Sequence, residues 1–384
     1  MALKVNKPKM RILLQEDDRG CCPTLLRGSE EGVWFRWNRD WTRGWEKRQN
    51  TAVVPPAACS LIFHSTAGDN PDKTNSQPLY RLMKILLDTD IGSDIDDALA
   101  LSYLLARPDV DLLGITTVTG EPEKRAAMAH AICRHFGKPH IPVHVGFDNP
   151  LANPVGQPKA PQAARLDRWA HDSFDPKPTA VAFLRETIRA NPGEVTLFAI
   201  GPLTNIAVLF LTDPEIPALL KDFVLMGGHF LPEPKDEWNI RCDAAAAAIV
   251  FDAAGNRCRP PRITMVGTDV TRRCTMTKEA CRERFARYPA LAPAADFASV
   301  WFELEKTTFI TFHDPLAAVT LFEPDVCTWQ DGLVQVRLDW PPPAWGETLF
   351  TPAGRSGGND AMPPHRIAAS VDPERFFDAY FRVF

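Results

Sequence analysis

The sequence predicts an α/β fold, an open and mostly parallel sheet with helices on both faces. Three observations predict it. From Met83 onward, short apolar runs alternate with segments of helical spacing. The runs are apolar throughout, as strands covered on both faces require. A dense group of acids follows the first run directly, at the carboxyl end of a strand, where such sheets place their ligands.

Ile85-Leu86-Leu87 is the first strand, and Ala98 to Ala106 carries helical spacing. Val110 to Val118 reads as a second buried strand, Lys124 to Phe136 as a helix, and His140 to Val145 as a third strand. A proline-rich loop from Pro150 to Pro178 comes next. It leads to a helix over Thr179 to Ala190, a strand over Val195 to Ile200 and a helix from Leu203. Val224-Leu225-Met226 is a strand, Asp243 to Phe251 a helix and Ile263 to Val266 a strand. The alanine run Ala244 to Ala248 suits a helix lying close on a sheet rather than a binding feature.

Residues 1 to 82 differ. A charged stretch holds Trp34, Trp37, Trp41 and Trp45, and a polar, turn-rich segment follows, with no sustained helix or strand period. They read as a poorly ordered N-terminal extension before a catalytic domain spanning 83–384; the other reading is a regulatory or partner-binding arm.

Composition narrows the function. The chain has 384 residues, 45% hydrophobic and 24% charged, with a formal net charge of −5. No basic excess suggests a nucleic-acid surface or an anionic membrane. The nine cysteines form no CxxC pair, which argues against a zinc ribbon or a thioredoxin-type site and fits reduced thiols in the cytoplasm. No apolar run approaches the roughly 18 residues of a membrane helix. The first thirty residues are charged throughout and lack the apolar core of a secretory signal. The cytoplasm is the expected location.

The segment from Asp88 to Asp97 carries five carboxylates in ten residues: Asp88, Asp90, Asp94, Asp96 and Asp97. Packed carboxylates repel unless a cation neutralises them. Hard oxygen ligands suit Ca²⁺ or Mg²⁺, and carboxylates at flexible spacing favour Ca²⁺. Gly92 lets the backbone turn tightly. Helix capping by Asp94 or Asp96 needs one acid, not five. An EF-hand loop fails because Gly92 is fifth and no Glu is twelfth. An aspartyl-phosphatase reading lacks evident downstream partners.

Four further segments recur in order: Thr116-Thr117-Val118-Thr119-Gly120; Gly201 to Ala207; Val224-Leu225-Met226-Gly227-Gly228 leading to Glu237-Trp238-Asn239-Ile240 and Asp243-Ala244-Ala245; and His313-Asp314-Pro315-Leu316-Ala317. With the acidic loop, this series resembles the nucleoside hydrolase family over roughly 83 to 384. The resemblance implies a Rossmann-like sheet, hydrolysis of the N-glycosidic bond of ribonucleosides to ribose and free base, and a Ca²⁺ cofactor. It implies Asp90, Asp97 and Asp314 as metal ligands, with the main-chain carbonyl of Ile200. Asp90 would be the general base for a metal-activated water, and Asp96, Glu237 and Asn239 would bind the ribose hydroxyls. His313 would help protonate the departing base. The expected partner is a small nucleoside, with no nucleic acid or membrane, and a homodimer or homotetramer is the family's usual assembly.

The acidic loop exceeds the commonest family form by two residues between Gly92 and Asp96, so Asp94 competes for the role of Asp96. Glu121 stands where the family often has an asparagine on the ribose, which makes it a substrate-contact candidate and suggests another ribosyl compound as a rival substrate. The loop from Met226 to Glu237 also lacks a customary asparagine. A non-catalytic calcium- or ribose-binding protein is the rival from another class. Glu237 and Asn239, two apart, face one side if their segment is extended. Asn205 reads as a backbone or helix-start contact and Asp148 and Asn149 as turn chemistry; Trp301, Trp329, Trp340 and Trp345 read as core or surface packing, with a cover over the base as the other reading of Trp301.

Overall fold

The computed structural model describes residues 82–152, 156–253, 262–304, 306–338, 345–354 and 365–384, with the backbone of three short strands nearer the N-terminus. The chain divides into Met1–Pro78 and Leu79–Phe384. In the first unit, Ile12–Leu13, Leu26–Gly28 and Trp34–Phe35 pair antiparallel, short pairings that no sustained period announces. The remainder of the expected extension, with Trp37, Trp41 and Trp45, lies outside the described residues.

The second unit is built on a nine-stranded sheet. Its strands are β1 (Met83–Thr89), β2 (Val110–Thr117), β3 (Val143–Val145), β4 (Val195–Ala199), β5 (Asp222–Met226) and β6 (Ile263–Val266). A separate two-stranded sheet pairs β7 (Thr275–Thr277) with β8 (Phe309–Thr311). The large sheet is completed by β9 (Cys327–Val336), β10 (Thr348–Pro352) and β11 (His365–Val371). The order is β10-β9-β11-β6-β5-β4-β1-β2-β3. From β11 to β3 all pairings are parallel, and β9 is antiparallel to both its neighbours.

The chain leaves β1 for β2 and β3 on one side and returns to β4, β5 and β6 on the other. The carboxyl end of β1 is therefore a topological switch point, the place where open α/β sheets form a crevice.

Helices cover both faces. They are α1 (Asp96–Ala106), α2 (Pro122–His135), α3 (Ala180–Ala190), α4 (Thr204–Thr212), α5 (Ile216–Leu219), α6 (Trp238–Cys242) and α7 (Ala244–Ala253). Beyond β6 come α8 (Thr268–Thr271), α9 (Lys278–Phe285), α10 (Ala292–Leu304), α11 (His313–Thr320) and α12 (Pro373–Phe381). Alternation along β1 divides the core. Ile85 and Leu87 pack with Leu99, Ile132, Phe297, Leu316 and Tyr380, from α1, α2, α10, α11 and α12. Leu86 points the other way and joins Leu184, Ile206 and Val250, from α3, α4 and α7. Fully burying a leucine contributes about 1.5–3 kcal/mol, so each residue of β1 anchors one face. Tyr380 Oη donates to the Leu99 carbonyl at 3.0 Å and ties the last helix to the first.

Among the boundaries that move, two have a plain local cause. The third strand begins at Val143, not His140, because Lys138 to Ile141 form a turn and Pro142 has no N–H to enter a ladder. The helix expected from Lys124 begins at Pro122, whose missing N–H is harmless in a first turn. No helix among the described residues is long and apolar enough to cross a membrane.

Candidate active site

The acidic loop runs from the end of β1 to the start of α1, as its position after a buried run requires. Gly92 adopts φ +117°, a conformation that side chains rarely tolerate. Asp96 and Asp97 then open α1 and put two carboxylates at its positive end. Asp314 comes from the first turn of α11, and its N–H donates to Asp96 Oδ2 at 3.1 Å. Asp96, Asp97 and Asp314 are buried and offer carboxylate oxygens within 4.8 Å of one another. Thr89 Oγ1 donates to Asp97 Oδ1 and fixes its orientation.

Asp97 and Asp314 come together, and Asp96 stands with them. Asp90 is buried beside them, with Gln157 and Asp97 acting on its carboxylate. Gly201 explains this tight seating: a Cβ there would come within 2.9 Å of Asp90 N and Oδ1.

A cavity of about 680 Å³ opens above the acids. Of the expected site residues, Asp90, Asp96, Asp97, Ile200, Glu237, Asn239, His313 and Asp314 all border it. Asp94, from the longer loop, borders it too, and so does Trp301. The Ile200 carbonyl accepts from Asn239 Nδ2 at 3.1 Å, and Met226 O accepts from the same amide at 3.3 Å.

Glu237 and Asn239 do not lie on one extended segment. Glu237 is extended, but it caps α6 and Asn239 is already helical. The Glu237 carboxylate accepts from the N–H groups of Gly228, Asn239 and Ile240 at 3.0, 3.0 and 3.1 Å. Capping supplies the reason for two of them: the Asn239 and Ile240 N–H groups have no partner within the helix.

Glu121 does not line the cavity. Its carboxylate accepts from Ala160 N at 3.0 Å and pairs with Lys124 at 2.7 Å and Lys159 at 3.0 Å. Thr119 and Glu121 both have positive φ, 65° and 59°, and this tight turn aims the side chain at the 157–162 segment. Burial works against its charge, yet the Ala160 N–H and the two ammonium groups outweigh that and hold the carboxyl at about 2. An acid whose oxygens are taken by its own chain is not free for ribose.

Burial is the largest influence on the acids and raises all of them. Asp96, Asp97 and Asp314 are pushed well above the usual carboxylate value, and their mutual repulsion adds to the effect. Asp90 is raised by burial and drawn back by the charge of Arg125. Beneath them, Asp88 is held at about 7 by burial, although Thr116 and Asn205 donate to it. His313 Nδ1 lies 2.6 Å from Thr271 Oγ1. Burial first and Arg272 second lower His313 to about 4, so its ring is neutral near pH 7. It therefore meets a ligand as a neutral hydrogen-bonding ring rather than as a stored proton.

Lining residues that the sequence does not mark include Gln157, Lys159 and Arg272. Nothing in a proline-rich loop marks Gln157, whose Oε1 accepts from Trp238 Nε1 at 2.9 Å. Arg125 had a legible signal. It precedes Met128, Ala129 and Ile132 by three, four and seven positions, which places a cation on the buried stripe of α2. Asn205 makes the backbone contacts expected of it, to Thr117 O at 3.0 Å and from Phe147 N at 3.1 Å.

Comparison with known proteins gives the family. The family model described as inosine-uridine preferring nucleoside hydrolase matches residues 85–378. The chain is 32% identical over 311 residues to the non-specific ribonucleoside hydrolase RihC of Salmonella newport, covering 77% of this chain and 95% of that one. It is 29% identical over 284 residues to uridine nucleosidase 1 of Arabidopsis thaliana, covering 69% and 81%. Among solved structures, the plant nucleoside hydrolase PpNRh1 superposes with a TM-score of 0.66 at 27% identity, over 78% of this chain and 98% of that one. The purine-preferring ribonucleoside hydrolase of Gardnerella vaginalis gives 0.64 at 26% identity, over 78% and 97%. The chain belongs to the inosine-uridine preferring nucleoside hydrolase family, and is a hydrolase acting on the N-glycosyl bond of ribonucleosides.

Proposed function

We propose that the chain is a Ca²⁺-dependent ribonucleoside hydrolase in which Asp90 is the general base. The convergence of Asp96, Asp97 and Asp314 carries this reading. Three buried carboxylates this close are costly unless a cation joins them. An all-oxygen donor set suits a hard divalent ion, and flexible carboxylates favour calcium over magnesium. Asp90, Asp97, Asp314 and the Ile200 carbonyl would hold the ion, with Asp96 among the residues around it. The ion would supply Lewis acidity, lowering the pKa of water and gripping hydroxyl oxygens.

The chain's own groups supply the rest. Asp90 takes the proton of the attacking water, whose oxygen bonds to C1′ of the ribose. The N-glycosidic bond breaks and its electron pair leaves with the base nitrogen. Positive charge grows on the ribose ring during this displacement, and the surrounding carboxylates stabilise it in place. Asp96, Glu237 and Asn239 orient the sugar hydroxyls. Glu237 does so with its carboxylate already fixed by three N–H donors, which limits its motion. His313 hydrogen-bonds the departing base at the other end of the cavity, where Arg272 adds a cation.

Release of free base from a panel of nucleosides, with and without a chelator, tests this. Chelator-sensitive release restored by calcium is the expected result. Calcium binding without turnover would favour a binding protein, and cleavage confined to other ribosyl compounds would move the substrate. Release that ignores the chelator would remove the ion from the mechanism.

A further inference from the structure

We propose that Arg125 is a positioning residue that holds the acidic loop in its working shape before any ion arrives. Arg125 is fully buried, yet it belongs to neither hydrophobic cluster. Its Nη1 donates to the carbonyls of Asp90 and Ile91, the latter at 3.1 Å, and to Ser93 Oγ at 3.0 Å. Its Nη2 donates to Lys159 O at 3.0 Å and its Nε to Gly120 O at 2.8 Å. One guanidinium thus joins three stretches of chain: the acidic loop, the turn after β2 and the segment that walls the cavity.

Neighbouring groups complete the clamp. Glu121 takes the Ala160 N–H at 3.0 Å, and Gln162 Nε2 donates to Ser93 O and Asp94 O at 3.0 and 2.9 Å. Gln162 N donates to Gly92 O at 3.1 Å. Gly120 lets the pieces close, since a Cβ there would lie 2.4 Å from the Pro158 carbonyl carbon. The wall so held carries Gln157, which bonds both Asp90 and Trp238.

The chemistry of the group suits this task. A guanidinium offers five donors in a rigid plane, whereas a lysine offers a single point. A bare loop of carboxylates would splay under its own repulsion. Arg125 opposes this twice, by charge and by pinning the carbonyls of the loop. The inference rests on the acids being an ion cradle, and it assigns the shape of that cradle to a residue that touches neither ion nor sugar.

Calcium titration calorimetry on the full chain, with amide hydrogen exchange on the calcium-free protein, tests the assignment. Arg125→Met keeps the apolar stem and removes every donor. It should weaken calcium binding roughly 10- to 100-fold, as loss of groups that orient metal ligands does. Amides of residues 90–94 should exchange faster, and kcat should fall more than KM rises. Arg125→Lys should restore only part of the affinity. A folded Arg125→Met protein with native calcium affinity and native exchange over 90–94 would overturn the proposal.

Should Arg125→Met fail to fold, Glu121→Gln decides. It should hasten exchange at the Ala160 amide and raise KM for the nucleoside; no change in either would also overturn it. Wild-type protein that binds no calcium would defeat the functional reading instead, while exchange over 90–94 would still judge the clamp.

Discussion

The N–H of Asp314 donates to the carboxylate of Asp96 at 3.1 Å, across a separation of 218 residues. This bond joins α1 to α11. It links the two regions whose acids any shared ion must bridge, and it frames what substitutions there should do.

Asp90→Ala should lower kcat by about 10²–10⁴-fold, the usual worth of a general base. Calcium affinity should fall less than in Asp314→Ala, since Asp314 belongs to the converging trio and Asp90 borders it. Steady-state kinetics paired with calcium titration separates the two effects. Near-normal turnover by Asp90→Ala would show that another group takes the proton.

His313→Ala should slow natural nucleosides far more than a riboside with a good leaving group such as p-nitrophenol. The ring stands at the cavity beside Thr271, and the proposed mechanism gives it the departing base to bind. A comparison of kcat/KM for the two substrate types reads this directly. Equal slowing would mean that His313 shapes the cavity and does nothing for departure of the base.

The stability gained from calcium should depend on pH in a fixed direction. Asp88 is held at about 7, and Asp96, Asp97 and Asp314 well above the usual carboxylate value, chiefly by burial. The calcium-free fold therefore binds protons more tightly than the unfolded chain. That contribution is complete below about pH 4 and is lost as the pH rises through the folded-state values. A bound cation needs these carboxylates ionised, so its contribution grows over the same range. The Tm difference between calcium-loaded and chelator-treated protein should widen from about pH 5 to about pH 8. His365, held at about 4 by burial, loses stability as the pH falls, but equally in both samples. Calorimetry at several pH values checks the trend, and a gap that narrows with rising pH would contradict an ion at this site.

Much of this fold is legible from Met83 to Val266. Buried parallel strands are continuous apolar runs there, and the acids stand where the chain reverses direction in the sheet. The stretch after Val266 is less readable, because β9 is half exposed and mixes polar with apolar residues. Asp97, Asp314 and Asn239 reach the cavity by their place in ordered motifs. Glu121 misleads, since position after a strand says nothing of which way a left-handed turn throws a side chain. Glu237 is drawn into a cap that begins a helix of only five residues, too short to show a period. Arg125 is obscured by the expectation that arginine faces water, an expectation that fails where carbonyls from several segments converge.

Asn239 gives the floor of the cavity an unusual economy. Its side-chain amide occupies the Ile200 carbonyl that sits at the end of β4. An oxygen there left bare would be an unpaired acceptor inside the protein, with a penalty that falls on the strand end itself. With the amide in place, the proposed ion would enter or depart while that oxygen keeps a bonding neighbour throughout. Loading and emptying then become a local exchange of partners, and the strand that carries the oxygen need not loosen.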